Sequence, residues 1–341
     1  MVPPLLIQRQ PRLPKPALKP YSSVAVLADE TTRYHCYERI KDQLPDHRLI
    51  VIPTGERHKN LDTCRSVWQQ MTDARLDRYS VLLAVGGGVV GDLGGFCAST
   101  YKRGIDFILL PTTLLSMADA SIGGKTGIDF GPFKNHLGTF QPPRATWIAT
   151  NFLQTLPKAE LRSGFAEVIK HAILSDRALW DRLRARPLER QDMTDLVKHS
   201  VAFKSSVVKK DPRETGLRKI LNYGHTVGHA LEGYMLQSEK PLMHGEAVAA
   251  GMVMETHIAW RMKLLKESEF GEIRDYILQV FGKISLPADS KWLDMIGQDK
   301  KNRGSVIQMA LPRRIGKAVF DVAVSAGDIR AAAAAYRSTQ I

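Results

Sequence analysis

The five-residue run Val81–Val85 is apolar at every position and ends in three consecutive glycines, Gly86-Gly87-Gly88. A strand with one wet face alternates apolar and polar residues. A strand with no polar position is buried on both faces, as in the middle of a parallel sheet covered by helices. The surrounding sequence repeats the rhythm. Val24–Ala28 reads as a strand ending at Asp29, Arg48–Ile52 as a strand broken by Pro53-Thr54-Gly55, and Ile105–Leu110 as a strand stopped by Pro111. Helices are predicted over Thr31–Leu44 and Leu61–Thr72.

Past Asn151 the period changes. Helical patterning is predicted over Ala159–Leu174, Arg190–Lys209, Leu217–Leu236, Gly245–Lys263 and Glu267–Phe281, with one strand-like run at Val306–Leu311. The expected architecture is an α/β nucleotide-binding domain with a Rossmann-like parallel sheet (residues 21–150), then an all-α metal- and substrate-binding domain (residues 151–341). Residues 1–20 hold six prolines and are expected to form an extended arm with little helix or sheet.

Composition narrows the function classes. Among 341 residues, 48 Lys and Arg face 35 Asp and Glu, a net charge of +13. Such an excess suits nucleic acid, an anionic membrane, a site for small anions, or solvated surface. Aromatics are only 7% and no basic stretch interleaves them, which argues against nucleic acid. No apolar run reaches the roughly eighteen residues of a membrane span, and no secretory leader pattern opens the chain. A cytoplasmic protein is expected. Cys36, Cys64 and Cys97 form no CxxC pair and read as small core residues rather than disulfide or zinc-site partners.

Five segments carry chemistry. Gly86, Gly88 and Gly91 satisfy G-x-G-x-x-G after a buried strand, which suits a pyrophosphate on a helix N-terminus and equally suits a tight turn. Asp106, the one acid near the usual ribose distance, opens the next strand, so Asp29 is the better ribose candidate. Gly123-Gly124-Lys125-Thr126 lacks the first glycine of a triphosphate-binding loop. In Gly216–Glu232, a continuous helix would bring Arg218, Asn222, His225 and His229 within an arc of about 60°. Two histidines one turn apart suit a metal, although Thr226 stands where the zincin motif needs Glu. Glu167 and Lys170 at i, i+3 read by themselves as a surface ion pair, and His244 lies just before a helix. One carboxylate and two imidazoles could together make a three-ligand zinc site with an open position. Lys170, Lys204, Arg218, Asn222 and His229 would surround it, suited to an anionic, hydroxylated substrate.

In order along the chain, the blocks TGERHK, GGGVVGD, TYKRG, PTTLL, DASIGGKTG, KNHLG, LRSGFAEVIKH, DPRETGLRKILNYGHTVGHALE, HGEAVAAGM and DKKN resemble the 3-dehydroquinate synthase family from about Val24 to Tyr336. The resemblance implies NAD and a divalent metal, zinc or cobalt, in a cleft between the domains. It implies Glu167, His225 and His244 as metal ligands. NAD contacts would be Asp29, Glu56, Lys59, Gly87, Gly88, Gly91, Asp92, Thr112, Thr113, Lys125, Lys134, Phe152 and Thr155. Catalytic contacts would be His229, Lys170, Lys204, Asp119 and Lys125. Asn135, Arg218 and Asn222 would bind substrate, as would Lys301 in preference to Lys300. Arg103 would reach the substrate phosphate of a neighbouring subunit, which implies a homodimer. The implied reaction turns 3-deoxy-D-arabino-heptulosonate 7-phosphate into 3-dehydroquinate and phosphate, in aromatic amino acid biosynthesis. Rival readings are a sister cyclase making 2-deoxy-scyllo-inosose or a valiolone, and a metal-dependent polyol dehydrogenase of related fold. As the family is understood, the inosose enzymes carry a carboxylate where this chain has Asn222. Eight cations assigned to one cleft would also account for part of the charge excess.

Overall fold

The structure is a computed structural model that describes residues 4–131, 133–236, 238, 240–287, 291–297 and 307–339. It divides into two compact units, Met1–Leu161 with Met193–Ser205, and Arg162–Asp192 with Ser206–Ile341. The division is therefore not a single point near residue 150, because 193–205 belongs with the first unit.

The first unit is built on strands β1 (Leu5–Gln8), β2 (Val24–Asp29), β3 (His47–Ile52), β4 (Val81–Gly86) and β5 (Asp106–Pro111). It also holds the hairpin β6 (Lys125–Phe130) and β7 (Phe133–Phe140), and the strand β8 (Ala145–Ala149). Six of these form one all-parallel sheet in the order β1-β8-β5-β4-β2-β3. The unbroken apolar run of β4 sits in its middle and every residue of it is buried. Helix α1 (Glu30–His35) follows β2, α2 (Leu61–Asp73) follows β3, and α3 (Gly88–Thr100) follows β4. Cys64, Val67 and Met71 of α2 join Leu93 and Cys97 of α3 against Leu27 and Leu82 in the core.

Three expectations need correction here. The proline-rich segment is not without regular structure. Leu5-Leu6-Ile7-Gln8 pairs with β8, and as an edge strand it tolerates flanking prolines that a central strand could not. The helix expected over Thr31–Leu44 stops at His35, and two 3-10 turns, Tyr37–Arg39 and Lys41–Gln43, follow. The stretch between Pro111 and Asn151, to which the sequence pattern assigns no strand, holds the antiparallel β6–β7 hairpin.

The second unit is helical, with α4 (Lys158–Ser175), α5 (Arg177–Arg184), α7 (His225–Met235), α8 (His244–Arg261), α9 (Glu267–Phe281), α10 (Lys291–Gly297) and α11 (Ala326–Ser338). Helix α6 (Met193–Lys210) contributes to both units. The strands β9 (Ile307–Arg314) and β10 (Lys317–Val324) form an antiparallel hairpin, so the unit is not all-α. Among the described residues no helix is long and apolar enough to cross a membrane.

Candidate active site

In the first unit the sheet reverses direction of growth at β2. Strand β3 lies on one side of it and β4 on the other. In open parallel sheets the crevice beyond the C-terminal strand ends at such a point is where ligands bind. Asp29 ends β2 and Gly86 ends β4, so the sheet brings these two sequence candidates to the switch point. Gly87 is the N-cap of α3 and, as a glycine, has no side chain to offer the first-turn N–H groups, which suits an anionic acceptor there. Gly86, Gly87, Gly88, Gly91 and Asp92 line a recess with Lys125. Asp29 also works structurally, since its Oδ1 accepts from Thr32 N at 2.7 Å.

Lys59 is 4% exposed, and its Nζ lies 2.6 Å from both Asp92 Oδ2 and Asn135 Oδ1. Burial alone would drive the Lys59 ammonium to lose its proton, but the Asp92 and Glu56 carboxylates hold its pKa above the ordinary value. Lys134 Nζ stands 3.7 Å from Glu56 Oε1. Thr112 N donates to Gly86 O at 3.0 Å, and Thr113 Oγ1 lies 2.9 Å from Ser116 Oγ. Phe152 is buried with the Arg39 guanidinium 5.3 Å from its ring centre, and Thr155 Oγ1 donates to Phe152 O at 3.2 Å. Asp119 lies in a π-helical turn, Ser116–Ala120. The buried Lys204 grips it twice, at 2.6 Å to Oδ2 and 2.8 Å to its carbonyl. Lys125 and Arg103 are exposed, and Arg103 has a positive φ of 67°. Lys300 and Lys301 lie outside the described residues.

In the second unit three chain segments converge. Glu167 and Lys170 sit mid-helix in α4, both at most 1% exposed and in direct contact. The pair expected at the surface is thus a buried one. His225 and His244 are the first residues of α7 and α8. Helix α4 reaches α8 at Ser163, whose Oγ accepts from Gly245 N at 2.9 Å. Ser163 lies one turn before Glu167 and Gly245 lies beside His244, so this crossing sets the Glu167–His244 distance. Gly245 is needed because a Cβ there would stand 2.5 Å from Ser163 C and Cα.

His225 Nε2 lies 3.2 Å and His244 Nε2 3.5 Å from the same oxygen, Glu167 Oε1. The other nitrogen of each ring is engaged. His225 Nδ1 donates to Tyr223 O at 3.1 Å, and His244 Nδ1 donates to Glu232 Oε2 at 3.0 Å. A neutral imidazole that donates through Nδ1 presents a bare lone pair at Nε2. Two such lone pairs then face a carboxylate oxygen, an arrangement that needs a cation between them. Ligand atoms about 2.0–2.1 Å from a tetrahedral zinc are about 3.4 Å apart, close to the separations found. Among the described residues, the two buried Glu167 oxygens meet only the Lys170 ammonium and the two imidazole Nε2 atoms, none in ordinary hydrogen-bond geometry. The residues present therefore fit a divalent metal.

The electrostatics agree. Burial opposes ionisation of Glu167, but the Lys170 ammonium and His225 outweigh it and hold the carboxyl well below the usual range. Burial, reinforced by Lys170, pushes His225 down to about 4, so it is neutral. Burial also opposes charge on His244, yet the Glu167 and Glu232 carboxylates, to which its ring N–H groups point, raise it to about 10, so without a metal a proton takes the cation's place.

The expected stripe of Arg218, Asn222, His225 and His229 on one helix is not formed. Leu217–Asn222 is a 3-10 helix, the chain turns at Gly224 (φ 80°), and α7 starts afresh at His225. His225 and His229 share α7, with ring centres 5.0 Å apart and nearly perpendicular, and His229 is exposed. Arg218 is buried and donates through Nη1 to Pro212 O at 2.7 Å. Asn222 Nδ2 donates to Glu214 Oε1 at 2.6 Å. Sequence reasoning missed Glu232, which orients His244, and Asp211, whose carboxylate accepts from the backbone N–H groups of Thr215, Gly216 and Arg218. Glu232 had a signal, since it stands seven residues after His225 and so on the same helix face.

A six-stranded parallel-sheet unit and a helical unit with a buried Glu-His-His donor set define the class, a two-unit α/β protein with a candidate metal site. Within that class the comparisons are specific. Residues 49–163 match the 3-dehydroquinate synthase N-terminal family model and residues 164–302 the C-terminal one. The chain is 42% identical over 288 residues to the 3-dehydroquinate synthase of Nitratiruptor sp., covering 82% of this chain and 80% of the relative. It is 42% identical over 310 residues to that of Azotobacter vinelandii, covering 87% and 83%. Among solved structures it is similar to the 2-epi-5-epi-valiolone synthase of Streptomyces hygroscopicus with NAD+ and Zn2+ bound, with TM-score 0.87, 29% identity and coverage of 99% and 97%. The chain belongs to the 3-dehydroquinate synthase family.

Proposed function

We propose that this chain converts 3-deoxy-D-arabino-heptulosonate 7-phosphate to 3-dehydroquinate and phosphate as a phosphate-eliminating carbon–oxygen lyase, with NAD and a divalent metal, zinc first and cobalt second. The observation that carries the reading is the convergence of His225 Nε2 and His244 Nε2 on Glu167 Oε1 in a chain of this family. The solved valiolone synthase, with its NAD+ and Zn2+, supports the cofactor assignment.

Glu167, His225 and His244 would hold the metal, and the recess at Gly86–Gly88 and Gly91 would hold NAD. Once bound, the pair supplies acidification of a substrate hydroxyl and reversible hydride acceptance. The chain's own residues do the rest. Lys170 keeps Glu167 ionised and offers a buried ammonium to an anionic substrate oxygen. Lys204, fixed by Asp119, offers a second. Arg218, Asn222, Asn135, Lys125 and Lys301 bind the carboxylate, hydroxyls and phosphate. His229, exposed on the helix that begins with His225, moves protons at its ring nitrogens because an imidazole titrates near working pH. A homodimer in which Arg103 serves the neighbouring subunit is part of the proposal.

Phosphate release from the heptulosonate phosphate by purified protein with NAD tests the reading. Turnover of glucose 6-phosphate with no release from the heptulosonate would overturn it. Steady accumulation of NADH would replace it with a dehydrogenase.

A further inference from the structure

Helix α7 begins at His225, and its N-cap is Gly224, which has no side chain to offer the helix's unsatisfied N–H groups. No other residue fits that position. Gly224 has φ 80°, and a Cβ there would run into the Met252 side chain and lie 3.1 Å from Val248 O. The cap comes instead from thirty-one residues downstream. Glu255 of α8 is fully buried; its Oε2 accepts from Gly224 N at 2.6 Å and its Oε1 from Val227 N at 3.0 Å. A carboxylate with both oxygens on backbone N–H groups at a helix N-terminus is the charged form's preferred setting.

The same face of α8 holds the residue on the other side of the turn. The Tyr223 hydroxyl donates to Met252 O at 3.2 Å and touches Thr256 Oγ1, and the Tyr223 carbonyl accepts from His225 Nδ1. Met252, Glu255 and Thr256 are thus spaced i, i+3 and i+4 on one helix and clamp the turn that carries His225. His225 is fixed twice by this turn, through its ring nitrogen and through its place as the first helical residue.

We propose that Glu255 is a positioning residue for the metal site: by capping α7 from α8 it sets where His225 Nε2 stands relative to Glu167. Its carboxylate acts on the imidazole only through the helix it caps. The inference rests on the metal-site reading above and adds to it a residue outside the donor set.

The test is metal affinity of the full chain, measured without turnover. Metal-free wild type, Glu255→Gln and Glu255→Asp are titrated with Zn2+ against a chromophoric chelator, and their Co2+ absorption bands are recorded. Leu183→Ala, a buried residue of α5, serves as the destabilised control. In Glu255→Gln the amide turns an N–H group toward a backbone N–H, so the Zn2+ Kd is expected to rise about tenfold or more with altered Co2+ bands. Glu255→Asp, which keeps the charge on a shorter stem, recovers part of the affinity and supplies the measurement should the Gln variant not fold. Affinity and Co2+ bands unchanged in both variants overturn the inference, as does an equal affinity loss in Leu183→Ala at equal loss of Tm. Absence of Zn2+ binding by wild type instead overturns the metal-site reading itself.

Discussion

Replacing Gly245 by alanine would probe whether the α4–α8 crossing sets the metal site. The added Cβ would stand 2.5 Å from Ser163 C and Cα and nearer still to Ser163 O. Ordinary contact begins at 3.4 Å, so the two backbones must part by at least 3.4 − 2.5 = 0.9 Å. Backbone atoms on both sides leave no flexible side chain to absorb that movement. Overpacking of this kind costs about 1–3 kcal/mol, and stretching the Ser163 Oγ–Gly245 N bond adds about 0.5–1.5 kcal/mol. For a unit of this size that is a fall in Tm of roughly 3–18 °C. The site feels the shift more sharply. Glu167 moves with Ser163 and His244 with Gly245, while ligand distances tolerate only about 0.2 Å. Metal retained after dialysis, measured by mass spectrometry of the purified variant, should fall below half of the wild-type content. A Gly245→Ala protein with full metal content and an unchanged Tm would refute the crossing as the element that sets the Glu167–His244 distance.

Two further outcomes follow from the same geometry. Glu232→Ala removes the acceptor that fixes His244 with Nε2 toward Glu167, so Zn2+ affinity should drop about 10–100-fold with the fold intact; wild-type affinity would exclude Glu232 from that role. Zn2+ binding to metal-free protein at pH 7.5 should release close to one proton, that of His244, because His225 at about 4 is already neutral. Calorimetry in buffers of different ionisation enthalpy reads this, and zero release would contradict it. Since the folded pKa of His244 is raised, its stabilisation of the metal-free fold is fully present below its ordinary 6.5 and is lost as pH rises through about 10.

What the sequence made legible follows how locally each feature is determined. The apolar runs of β2, β4 and β5 are buried on both faces, so composition alone places them. The stretch after Asp29 misleads because Thr32, Cys36 and Ile40 are buried at a spacing of four, as in a helix. Thr-Thr-Arg-Tyr-His-Cys-Tyr is nevertheless poor in strong helix formers, and the helix ends after His35. The Gly216–Glu232 segment misleads for a non-local reason. Gly224 breaks it, and the turn there is held by Met252, Glu255 and Thr256 of another helix, which no window around Gly224 contains. The donor residues Glu167, His225 and His244 are visible as residue types. Their convergence depends on close helix contacts at Gly245 and Gly224, which are also long-range.

The charge excess looks different once the lysines are seen in place. Sequence reasoning gave eight cations to one anion-binding cleft and let them explain part of the +13. Yet the three lysines among them that are buried each arrive with a carboxylate of their own: Lys59 with Asp92, Lys170 with Glu167 and Lys204 with Asp119. A buried ammonium without a partner would be costly, so the pairing is a condition of burial rather than a coincidence. Each pair contributes zero to the net charge. These three pairs are therefore no source of the excess, and a variant that neutralised exposed lysines elsewhere could bring the chain toward zero net charge while leaving them as they are. For these three lysines burial and net charge are therefore separate matters, and the pI near 9.6 does not report on them.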